Sequence, residues 1–67
     1  MEMQERFVND VEAAKILSAS PQTLRNWRSI GRGPIYAKRN RMVRYYVKDL
    51  FNFMAAGRVD PERRVKP

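Results

Sequence analysis

The sequence predicts a mostly α domain with one small β-hairpin, and three observations predict it. Two capped helix starts, Asn9-Asp10-Val11-Glu12 and Ser20-Pro21, follow one another closely. Past Gly33-Pro34 the apolar period changes from helical to alternating. At 67 residues the chain has room for one small core, so every large apolar residue must contribute to it.

Asn9 is placed to accept from the amides of the first turn, and Glu12, three residues on, to reach back to it. The first helix is therefore expected over residues 10–17. On a 3.6-residue wheel Ala13, Ala14, Ile16 and Leu17 share one face and Glu12 and Lys15 the other. The paired alanines leave room for a second helix to come close. Phe7 and Val8, ahead of the cap, are expected to fold over the core.

Ser18-Ala19-Ser20 is long enough only for a tight turn. Ser20 caps the second helix and Pro21 takes its first position, where a missing N–H costs nothing. That helix is expected to end at Ser29 or Ile30, with Gly31 supplying the left-handed residue that closes it. Two short helices joined by about three residues make a helix-turn-helix.

In the segment IYAKR, Ile35 and Ala37 point one way and Tyr36 and Lys38 the other; in VRYYV, Val43, Tyr45 and Val47 oppose Arg44 and Tyr46. Arg39-Asn40-Arg41-Met42 joins the two segments, and Asn40 tolerates the positive φ that a hairpin turn needs. A third helix over residues 48–55 presents Leu50, Phe53 and Met54 to the core, and Gly57 ends it. The expected organisation is a flexible N-terminus over 1–6, one domain over 7–56 and a disordered basic tail over 57–67.

The net charge is +7, and its distribution carries the functional argument. Nine basic residues and no acidic one lie between Ala13 and Lys48. A single-sign stretch of that length implies a polyanionic partner, nucleic acid rather than membrane. There is no cysteine and no histidine, which removes disulfides, thiolate metal sites, the commonest zinc ligand and the usual neutral-pH base. Without a clustered carboxylate pair, no nucleophile and base can work together, so an enzyme is not expected, nor is a metal or cofactor. No apolar run approaches a membrane span and the N-terminus lacks signal-peptide character, so the expected location is cytoplasmic.

On the second helix Leu24 and Trp27 must face inward. The opposite side carries Gln22, Arg25, Asn26 and Ser29, flanked by Thr23 and Arg28. Arginine can donate twice to a guanine edge, glutamine or asparagine can pair twice with adenine, and hydroxyls suit bases or phosphates. This face is the candidate base reader in a major groove. The hairpin tip, Lys38, Arg39, Asn40 and Arg41 with Arg44 behind it, suits the backbone or an adjacent minor groove. Arg28 joins these residues as a candidate phosphate contact. The competing module is one whose basic face docks structured RNA or an acidic protein. RNA readers rely on exposed aromatics, for which only Tyr36 and Tyr46 are available.

The order FVNDVEAAKIL, SPQTLRNWRSIGRGP, IYAKRNRMVRYYVKDLFNFM resembles the MerR-like winged helix-turn-helix of excisionases and AlpA-type prophage regulators over about residues 7–55. EAAKIL, the start S-P-x-T-L-x-x-W, G-x-G-P, and V-R-Y followed by D-L carry the resemblance. Asn40 and Met42 depart from it, standing where the family more often has Gly and Arg. The resemblance implies that residues 21–29 enter the major groove and that 35–46 form the wing. It implies a double-stranded DNA partner and a role as excisionase, that is, recombination directionality factor, or small transcriptional regulator of a phage or mobile element. It also implies further copies on repeated sites, or an integrase or recombinase, as additional partners. MerR-type sensors continue into a long dimerisation helix and effector domain, and the chain stops before either, so no small-molecule effector is expected.

Overall fold

The computed structural model describes residues 5–62. Its elements are β1 (Phe7–Val8), α1 (Asp10–Leu17), α2 (Pro21–Ser29), β2 (Ala37–Arg39), β3 (Met42–Tyr46) and α3 (Val47–Ala56). Three helices combine with a three-stranded antiparallel sheet of order β1-β3-β2, against which α1 and α3 pack, to make a winged helix-turn-helix. The N-terminal residues 1–4 and residues 63–67 of the expected basic tail lie outside the described residues.

The helix boundaries follow from local chemistry. Asn9 Oδ1 accepts from the Glu12 N–H at 2.9 Å, and Ser20 Oγ accepts from the Thr23 N–H at 3.1 Å. At the end of α1 the left-handed Ser18, φ 55°, lets the Ala19 N–H reach the Ala14 carbonyl at 2.8 Å. α2 closes in a Schellman motif. Gly31, φ 73°, donates to the Arg28 carbonyl, and the Arg32 N–H reaches the Trp27 carbonyl at 2.7 Å.

The core consists of Val8, Ala13, Ala14, Leu24, Tyr45, Val47 and Leu50, with Ile16, Leu17, Trp27 and Val43 packed against it. Ala13 and Ala14 are buried, as the wheel requires, and α2 lies close against them. Trp27 sits at the core's edge, half-buried, with its ring 5.5 Å from that of Phe53 on α3. A Cβ on Gly33 would stand 2.9 Å from the Trp27 Cβ, so the G-R-G-P loop closes onto the indole.

Several expectations change. Phe7 and Val8 form a strand that pairs with β3, Phe7 opposite Tyr46 and Val8 opposite Tyr45. Val8 is buried, but Phe7 is 58% exposed and lies against the Tyr46 ring on the outer face of the sheet. The first hairpin strand begins at Ala37, and Ile35 ahead of it is exposed, as are all three residues of β2. α3 begins at Val47, whose N–H is held by the Arg6 carbonyl at 3.0 Å. Met54 is exposed, since the last turn of α3 runs beyond the core that Leu50 and Phe53 close off.

Candidate nucleic-acid interface

α2 and the hairpin face each other across an open concavity of about 510 Å³. Arg25, Arg28 and Ser29 line it from α2, and Tyr36, Lys38, Asn40 and Arg41 line it from the hairpin side. Six of the eleven residues expected from the sequence to bind DNA therefore share one surface. Four of those six carry positive charge.

Gln22 and Asn26 are exposed on α2, where the Gln22 Nε2 donates to Asn26 Oδ1 at 3.0 Å. The pair is one turn apart and keeps further donors and acceptors for a base edge. Thr23 has a local duty: its Oγ1 lies 2.9 Å from Ser20 Oγ in the helix cap. Arg39 and Asn40 are exposed at the turn, and Asn40, φ 56°, adopts the left-handed conformation expected of it.

Arg44 is not brought to the concavity. Because side chains alternate along β3, it emerges on the other side of the strand from Val43 and Tyr45. There it borders a separate depression with Arg6, Asn9 and Glu12, and its Nη1 donates to the Val43 carbonyl at 2.8 Å.

The two arginines of α2 are held by partners that no local sequence pattern announces. Arg25 donates its Nε–H to Asp10 Oδ2, on the first turn of α1, at 2.9 Å. Arg28 donates from Nη1 to the Tyr45 hydroxyl at 2.7 Å. Its guanidinium carbon also lies 5.7 Å from the Tyr36 ring centre and 6.0 Å from that of Tyr45. Tyr45 is fully buried, so its hydroxyl needs a partner at the core's edge, and Arg28 supplies it. Asp10, Tyr36 and the buried Tyr45 thus hold the arginines of this surface, a role not singled out for them from the sequence. The inward-facing set Val43, Tyr45 and Val47 was the available signal for Tyr45, since a tyrosine there must bond something.

Among the described residues no group of three or more acidic side chains could hold a metal ion, and no helix is long and apolar enough to cross a membrane. A family model described as a helix-turn-helix domain matches residues 11–58, most of the chain. The chain belongs to that helix-turn-helix family. This family includes excisionase and AlpA-type regulators, in keeping with the resemblance carried by EAAKIL and S-P-x-T-L-x-x-W. Membership in the helix-turn-helix family gives the chain DNA as its partner and a DNA-binding, regulatory role of a typically non-enzymatic kind. No curated protein matches the chain.

Proposed function

We propose that the protein recognises a specific sequence in double-stranded DNA, as an excisionase or small transcriptional regulator of a phage or other mobile element. α2 lies in the major groove, where Gln22, Arg25, Asn26 and Ser29 read bases. Arg28, Lys38, Arg39 and Arg41 contact phosphates or the adjacent minor groove, and Arg44 adds positive charge from the far side of the wing. The single observation that carries this reading is the concavity itself: Arg25, Arg28 and Ser29 of α2 and the basic hairpin turn bound one open surface. The action is architectural. A module this small buries a limited DNA surface, so tight binding draws on further copies on repeated sites or on an integrase or recombinase.

The test is an anisotropy titration at low ionic strength with duplex DNA, the corresponding single strands and a structured RNA. The reading requires the duplex to win and its advantage to shrink steeply as salt is added. A chain that prefers RNA, or that binds no nucleic acid, overturns it. An integrase gene beside the coding sequence would favour excisionase over regulator.

A further inference from the structure

The concavity, the Arg28–Tyr45 contact, the exposed Phe7–Tyr46 face and the Asp10–Arg25 pair are the features that the fold does not by itself explain. The last of these carries an inference about specificity, which rests on the DNA-reading role proposed above. We infer that Asp10 is a specificity-positioning residue, and that through it Arg25 is set to read a guanine.

Arg25 is the middle member of the polar face of α2 and borders the concavity. A guanidinium on a four-bond stem normally samples many rotamers, and one free to do so can meet a phosphate as readily as a base. Here one of its five N–H donors, the Nε–H, is engaged by Asp10 Oδ2 at 2.9 Å. Among the described residues no hydrogen bond engages either terminal nitrogen of Arg25. That division is the one guanine recognition asks for. The two terminal nitrogens donate in parallel to O6 and N7, and the third edge of the fork is held from behind so that its plane is fixed.

The carboxylate has a second consequence. Asp10 is less exposed than the arginine it holds, with side-chain exposures of 21% and 49%. A negative charge beside a DNA-facing surface opposes binding to phosphate, so it lowers affinity for every duplex alike. Its compensation is discrimination, because a neutralised, oriented Arg25 gains little from a backbone phosphate and much from a guanine edge. Asp10 is contributed by α1, fifteen residues before Arg25, so the helix-turn-helix packing itself sets the reader.

The experiment is selection from a pool of randomised duplexes, followed by sequencing, with the full chain and its Asp10→Ala, Asp10→Asn, Arg25→Ala and Asp10→Ala/Arg25→Ala variants. The parent should enrich a guanine at one position that Arg25→Ala loses. Asp10→Ala should weaken that preference about fivefold, the lower end of what one bidentate pair contributes, and leave the other positions alone. In the Arg25→Ala background the Asp10 substitution should change no base preference. Asp10→Asn keeps an oxygen that can accept from Nε and should lose less, and it serves if the alanine weakens the first turn of α1. Total binding to unrelated duplexes should rise slightly once the carboxylate is gone. If the guanine preference is intact in both Asp10 variants while their melting temperature falls, the pair is only a strut between helices and the inference fails. A parent that enriches no sequence overturns the DNA-reading role itself, and the inference with it.

Discussion

The arginines of α2 and those of the hairpin tip carry the same charge and are held in different ways. Arg25 is tied to Asp10, and Arg28 to Tyr45 and the Tyr36 ring. Lys38, Arg39 and Arg41 are exposed, and among the described residues none of their side chains has a hydrogen-bonding or ionic partner. A tethered guanidinium has already lost much of its rotamer freedom before a ligand arrives, so it can discriminate between geometries. A free one adapts to wherever a phosphate lies and contributes affinity without selection. On the DNA-reading role proposed above, one domain divides recognition between a stiff side and a compliant one.

The largest effect should come from undermining the stiff side. Trp27 supports α2 from its inner face, against Phe53 and under the Gly33 loop. Trp27→Ala should cost about 3 kcal/mol, the lower part of the range for such truncations because the ring is half-buried. A domain of this size has little more than that to lose, so circular dichroism should show a melting transition displaced far downward or absent. A transition that hardly moves would mean that α2 is held in some other way, and the contrast between stiff and compliant sides would lose its basis.

Asn26→Ala tests whether the stiff side selects. The substitution removes one half of the Gln22–Asn26 pair and leaves the fold alone, since both residues are exposed. Discrimination at one base pair should fall by about 1–3 kcal/mol, while binding to unrelated duplexes persists. Equal losses on all sequences would move Asn26 to the backbone-contacting group.

Tyr45→Phe sharpens the point at smaller scale. The ring and its burial are retained and only the hydroxyl that holds Arg28 is removed. The loss of stability should be about 1.5–2 kcal/mol, the lower part of the range for a hydrogen bond to a charged group because the bond is only part-buried, and should vanish when Arg28 is already alanine. Denaturant titration of the two single variants and the double variant measures that coupling.

What was legible in the sequence was what neighbours along the chain decide. Asn9, Ser20-Pro21, Gly31 and Asn40 each act on a backbone two or three residues away, and the structure gives each the cap or turn expected of it. The inward faces of both helices of the helix-turn-helix follow from a period that needs only the helix itself. What was not legible depends on packing. Two residues, Phe7 and Val8, are too few to show an alternation, so β1 exists only because β3 is there to pair with it. Counting charges between Ala13 and Lys48 leaves α2 without an acid, but the fold lays Asp10 beside it. The alternation that sets Arg44 opposite Val43 and Tyr45 was legible, but which face of β3 borders the concavity depends on how α2 packs, and Arg44 lines the other depression.

The smallest effect, and the sharpest test of the compliant side, is Arg41→Ala. Arg41 is exposed at the turn, so its removal should shift stability by no more than about 0.5 kcal/mol. If it neutralises one phosphate, a plot of log affinity against log salt concentration should become shallower by about one unit, with the preferred sequence unchanged. The same substitution distinguishes the hairpin's two available roles. An arginine inserted into a minor groove responds to groove width, so its loss would weaken A·T-rich flanks more than G·C-rich ones. An arginine on the backbone is indifferent to them. A uniform loss across flanks, together with the shallower slope, is the result a free and compliant arginine should give. A flank-dependent loss would show that the tip, untethered in the protein, becomes selective once the DNA itself supplies the fit.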